Sequence, residues 1–224
     1  MHFLDFIIPV NKKVKFEATN VYCIGNSGRN QEIIDRHIEE LMNEGIPAPE
    51  NTAPCFTQVS NYLLSQENSI QVVGNLTTGE VEFVLLYQEG TFYVTVGSDH
   101  ADRQLEAACS PHVKQVSAKP LAKIAWSLEE IIKHWDELRL SCYIFNNGNW
   151  KLYQEGTVAN LLDINQILEI AKNNGINISS GLVLFCGTLL LKNGKFVYGD
   201  KYKIILEDPV LGRTIEHDYN VEII

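Results

Sequence analysis

Residues 79–88 read GEVEFVLLYQ, and after Glu89 and Gly90 the chain continues as TFYVTVG over residues 91–97. Two apolar runs rich in β-branched and aromatic residues, separated by a short glycine-containing turn, predict a β-hairpin. The first run carries an oddity at its start. Glu80 and Glu82 are two apart, so in a strand they share a face, and that face continues as the apolar Val84 and Leu86. A solvent-facing strand would stay polar along that face. The two carboxylates therefore read either as a strand end in water or as the oxygen ligands of a hard cation. The hairpin bears on the choice. Its second strand runs into VGSDHADR, which brings Asp99 back beside the glutamates at the end opposite the turn. Three carboxylates at one point make a poor surface arrangement and a usable Mg²⁺ or Mn²⁺ site.

Outward from the hairpin, FLDFIIPV, VKFEAT and VYCIG predict opening strands, and GLVLFCGTLLL, KYKIILE and RTIEHDYNVEII predict closing ones. Helical spacing appears from Asn30, a suitable N-cap, to Glu44, with Gly45 as the stop. Ser127 and Glu130 have capping-box spacing for a helix reaching about Leu140, and a third helix covers roughly Asp163 to Asn174, ending at Gly175. The stretch IPAPENTAPCF predicts an extended loop set by its prolines. Strands outnumber helices, so the class is α+β with a mainly antiparallel or mixed sheet. Residues 1–20 are expected to form a short strand extension, and 21–224 one domain.

The chain has 224 residues, and its net charge of −10 argues against nucleic acid or an anionic membrane as the main partner. Its start lacks the pattern of a signal peptide, and no run approaches a membrane span. The five cysteines are scattered without CxxC spacing, as expected of reduced thiols in the cytoplasm.

Three further groups are candidates for chemistry. His37 and Glu40 are three apart on the first helix: a surface pair, or a carboxylate-oriented general base. His100 reads as a bonded loop histidine or as an extension of the carboxylate cluster. Lys114, Lys119 and Lys123 are solvated charges, or one of them faces the site and stabilises an oxyanion.

The order of these features resembles the fumarylacetoacetate hydrolase family, and GRNQEIIDRHIEELMNEGIPAP with VGSDHADRQLEA is similar to a related bacterial branch of unknown function. The motifs are Gly28-Arg29-Asn30, His37-x-x-Glu40, Glu80-x-Glu82, Asp99 with Arg103 four residues on, Lys114, Gly187-Thr188 and Gly199-Asp200. The resemblance implies a β-roll of mixed sheets and a homodimer. It implies metal ligation by Glu80, Glu82 and Asp99, a water-activating dyad of His37 and Glu40, substrate contact by Lys114, and a pocket lined by Arg29 and Thr188. The chain departs from the family pattern at Ala101, where the family has threonine, and at Glu106, near its frequent glutamine. Three extra residues precede His37, the connection from Glu82 to Asp99 is short, and Gly187-Thr188 lacks the usual flanking threonine and proline. The implied activity is metal-dependent hydrolysis of a carbon–carbon bond in a small 2-oxo or 1,3-dicarbonyl acid, or else decarboxylation, dehydration or isomerisation. The alternative is a non-catalytic ligand-binding or assembly protein on the same fold.

Overall fold

The computed structural model describes residues 2–8 and 12–224. Pro9 and Val10, at the end of the first expected strand, lie outside the described residues. The hairpin forms as Val81–Gln88 against Thr91–Ser98, with Val81 opposite Ser98 and Gln88 opposite Thr91. Glu89 and Gly90 turn with φ of 50° and 86°, the paired positive values that match a two-residue turn to strand twist.

Around the hairpin lies a six-stranded sheet, ordered Trp126–Ser127, Thr91–Ser98, Val81–Gln88, Leu182–Thr188, Asn20–Gly25, Cys55–Val59. Leu182–Thr188 runs antiparallel to Val81–Gln88 and parallel to Asn20–Gly25, so the sheet is mixed. A second sheet has five strands, ordered Asn149–Thr157, Arg139–Asn146, Lys201–Asp208, Arg213–Ile223, Ser69–Val72, and its last pair is parallel.

The central strands of the six-stranded sheet are buried on both faces. Phe83, Leu85, Val94 and Val96 pack against Leu140, Ile144, Tyr202 and Tyr219 of the second sheet. Val84, Leu86, Val183 and Phe185 pack beneath Leu4, Phe6 and Phe16 of the hairpin formed by His2–Ile8 and Lys12–Ala18. Two-sided burial explains why VEFVLLY shows no polar alternation. It also explains the glutamate face. The N-terminal hairpin covers that face at Val84 and Leu86, and beyond its cover Glu82 and Glu80 line a cleft.

Helix Gln31–Asn43 begins where Asn30 Oδ1 accepts the Ile33 N–H at 3.1 Å, and Gly45 follows its end at φ 86°. Helix Ile164–Asn173 carries a complete capping box between Asp163 and Gln166. The box expected of Ser127 and Glu130 does not form. Glu130 is held instead by Arg213 Nη1 at 2.6 Å, Ser127 makes no capping bond, and one turn at Leu128–Ile131 passes into a 3₁₀ stretch, Ile132–Glu137. The helix thus stops short of Leu140, which is already in a strand. Helix Arg103–Val113 and the strands Cys55–Val59, Ser69–Val72, Arg139–Asn146 and Asn149–Thr157 join those expected.

Candidate metal centre

Glu80, Glu82 and Asp99 are buried, and one carboxylate oxygen from each lies within 4.8 Å of the others. The hairpin register produces this. Val81 pairs with Ser98, Glu82 with Gly97, and the Asp99 N–H donates to Glu80 O at 3.0 Å. Strand Leu182–Thr188 completes the floor with a register shift between Phe185 and Thr188. At that bulge the Gly187 N–H donates to Glu82 Oε2 at 2.7 Å. Only glycine fits there: its φ is 90°, and a Cβ would sit 1.6 Å from Ser27 Oγ.

Cations surround two of the three carboxylates. Arg103 Nη2 is 2.9 Å from Glu80 Oε1, and Lys114 Nζ is 3.5 Å from Glu80 Oε2 and 2.5 Å from Asp99 Oδ2. Lys119 Nζ, fully buried, is 2.9 Å from Asp99 Oδ1 and donates to His100 O at 2.9 Å. Burial would raise the Glu80 carboxyl, but Arg103 and then Lys114 hold it below its ordinary value. Burial likewise opposes ionisation of Asp99, and Lys114 and Lys119 reverse that and hold it low. Glu82 differs. Among the described residues it has no ion-pair partner, and burial together with Asp99 pushes it well above the usual carboxylate range. A buried carboxylate without its own cation, beside two others, is an arrangement that a hard divalent ion would relieve. The all-oxygen donor set suits Mg²⁺ or Mn²⁺ better than a soft metal.

Glu80 and Glu82 line a 720 Å³ cleft, while Asp99, within 4.8 Å of both, is buried and not part of its wall. Helix Gln31–Asn43 supplies one wall, with Ile34, His37, Ile38 and Leu41 at helical spacing on one face. His37 reaches this wall with a buried Nδ1 that has no hydrogen-bond partner, 3.9 Å from Glu40 Oε2. Glu40 accepts the Leu191 N–H at 3.2 Å. The structure thus makes the two side chains neighbours without a hydrogen bond between them. Thr188 lines the cleft and donates to Val81 O at 2.9 Å, and Lys114 lines it beside the carboxylates. Arg29 is not brought to the cleft wall. Its Nε donates to Leu161 O at 2.8 Å and its Nη1 to Asp136 at 2.7 Å, which turns the guanidinium toward the 3₁₀ stretch. His100 also points away, into the core, where it stands edge-on to Tyr202 with Nδ1 3.1 Å from Tyr219 Oη.

Of three residues that position this site, the sequence names Lys119 and Arg103 without giving either a positioning role, and it does not single out Gln154. Lys119 orients Asp99, yet its segment looks like solvated lysines. Arg103 clamps Glu80 and is held by Glu106 at 2.6 Å, with Phe196 stacked 4.4 Å from the guanidinium. Gln154 accepts the Val81 N–H at 3.0 Å and donates to Thr188 Oγ1 at 2.8 Å, tying the second sheet to the floor. The signal that would have found its strand is Asn-Asn-Gly-Asn at 146–149, a hairpin turn between two apolar runs.

Mixed sheets with few helices around an acidic cleft define the fold of the fumarylacetoacetate hydrolase family, and solved structures with this fold match nearly the whole chain. A candidate fumarylacetoacetate isomerase/hydrolase from Oleispira antarctica is 16% identical with a TM-score of 0.67, over 96% of this chain and 98% of its own. A yeast fumarylacetoacetate hydrolase family protein is 16% identical with a TM-score of 0.62, over 92% and 93%. The 2-keto-3-deoxy-D-arabinonate dehydratase complexed with magnesium and 2,5-dioxopentanoate is 15% identical with a TM-score of 0.61, over 93% and 74%. No curated protein matches the chain. Within this fold the chain belongs to the family described as a protein of unknown function, DUF2848, whose model matches residues 24–219.

Proposed function

We propose that this protein is a divalent-metal-dependent enzyme acting on a small 2-oxo or 1,3-dicarbonyl acid, with hydrolysis of a carbon–carbon bond as the first reading and lyase chemistry as the second. One observation carries the proposal: three buried carboxylates within 4.8 Å of one another, two of which, Glu80 and Glu82, line a cleft together with His37 and Lys114. The magnesium and dioxo acid bound by a dehydratase of the same fold support it. A Mg²⁺ or Mn²⁺ ion held by Glu80, Glu82 and Asp99 would supply Lewis-acid polarisation of the substrate's carboxylate and adjacent carbonyl. Lys114 brings positive charge to the same end of the cleft, where negative charge develops on an enolate oxygen. His37, its Nδ1 unpartnered and Glu40 beside it, takes a proton from water or from the substrate. Thr188 lines the substrate's path. Arg29 would contribute only by leaving Asp136, and is the weakest member of the set.

A homodimer and a cytoplasmic location go with this reading. Sedimentation and fractionation test them. Among the described residues no helix is long and apolar enough to cross a membrane.

Binding without turnover is the second reading, favoured by the 3.9 Å separation of His37 and Glu40 and by Glu40's bond to Leu191. A panel of 2-oxo and acylpyruvate-type acids assayed with Mg²⁺ and Mn²⁺ separates the two. Metal-dependent turnover supports the enzyme, and tight binding with no turnover of any member overturns it.

A further inference from the structure

We infer that the acid taken by this site has an uncharged, apolar tail and is not a dicarboxylate; the inference rests on the metal-dependent oxo-acid reading and adds to it the far end of the substrate. The cleft is far larger than an oxo-acid head requires. Its 720 Å³ falls in the range that encloses a drug-sized ligand. Lys114, His37 and Thr188 line it with Glu80 and Glu82, and Asn26, Ser27 and Thr57 add uncharged polar groups. An aliphatic wall comes from Ile34, Ile38 and Leu41 of the first helix and from Ile46, Pro47 and Pro49 of the loop that follows it.

No cation on these walls would receive a second carboxylate. Lys114 is the one lysine or arginine among the cleft-lining residues, and Asp99 and Glu80 already engage it. The two nearby arginines are committed elsewhere, Arg103 to Glu80 and Glu106 and Arg29 to Asp136. Of the other charges lining the cleft, Glu106 is already paired with Arg103, and Glu50 is acidic and repels a carboxylate-ended tail. A buried carboxylate with no partner is strongly disfavoured, whereas each methylene taken out of water gains about fourfold in affinity.

Calorimetry on the full chain with Mn²⁺ tests this with four probes: oxalate, 2-oxobutanoate, 2-oxooctanoate and 2-oxoadipate. Oxalate is all head, so it reports the metal centre alone. We expect oxalate to bind, and 2-oxooctanoate to bind at least tenfold tighter than both 2-oxobutanoate and 2-oxoadipate. If oxalate binds but 2-oxoadipate matches or exceeds 2-oxooctanoate, or the longer alkyl tail adds nothing, the tail inference is overturned and the metal-site reading stands. If oxalate fails to bind in the presence of Mn²⁺, both fall together. Leu41→Lys, at a half-buried position, should reverse the order toward 2-oxoadipate, and an unchanged order in a folded variant counts against the inference. Should that variant fail to fold, the wild-type series still decides.

Discussion

Glu82 has a buried carboxylate and a bond to a backbone N–H, yet no cation of its own among the described residues. Glu82→Gln keeps the shape and can still accept from Gly187 while removing a charge that burial and Asp99 disfavour. The metal-free melting temperature should therefore stay or rise. Mn²⁺ affinity should fall by more than the roughly 10- to 100-fold that losing a residue outside the coordination sphere costs. Equal affinity by calorimetry would remove Glu82 from the site. The lysines separate by burial in a way their spacing hides. Lys119→Met strips a fully buried cation from Asp99 and should cost about 3–5 kcal/mol in denaturant unfolding, whereas exposed Lys123→Met should be close to neutral. Comparable losses would mean that Lys119 does not hold Asp99. For the pair on the first helix, His37→Ala and Glu40→Ala should each lower turnover by roughly 10²- to 10⁴-fold if they act as one general base. The double variant should then be little worse than either single, and additive losses would separate them into unrelated roles.

The N-terminal hairpin is an extension in sequence, but its apolar side chains are shared with the main sheet. Leu4, Phe6, Phe16 and Ala18 are buried in one cluster with Val84, Leu86, Val183 and Phe185. Starting the chain at Thr19 would expose that sheet face, and we expect the truncated protein to be insoluble or to lose its cooperative melt. A soluble truncation with an unchanged melting temperature would establish residues 19–224 as self-sufficient. Elements were legible where pattern and caps agreed, as in Gln31–Asn43 with Asn30 before it and Gly45 behind. Helix Arg103–Val113 was hidden, although Asp102 caps it by accepting the Leu105 N–H at 2.9 Å. Cys109 inside it has non-helical angles, φ −157° and ψ 72°, and the kink breaks the spacing that would reveal it.

At the scale of the whole molecule, His100 joins the sheets: just past the central hairpin, it stands edge-on to the stacked pair Tyr202 and Tyr219 of the second sheet. Burial, then Lys119 and Arg103, pushes its pKa down from 6.5 to about 3. The unfolded chain takes up this proton near pH 6.5 and the folded chain only near 3. Between those values the unfolded state binds more protons, so stability is full above 6.5 and falls with pH below it. The slope from this one group approaches about 1.4 kcal/mol per pH unit. Melting temperatures from pH 7 to 4 should drop, and His100→Gln should flatten the profile. An equal slope in the variant would assign the loss to other groups.

The sequence alone determined the α+β class, the central hairpin and the meeting of Glu80, Glu82 and Asp99, because all three depend on local rules. Strand alternation, a two-residue turn and antiparallel pairing act over fewer than twenty-five residues. What required the tertiary structure acts at long range. Arg29 turned to Asp136, 107 residues away, and Glu130 to Arg213, 83 away, and each thereby left the role its local motif predicted. Lys119 became an internal cation, and an aliphatic wall from residues 34–49 came to share a cleft with Glu80 and Glu82. A charged side chain takes the partner that burial leaves within reach, and which partner that is depends on how the sheets pack.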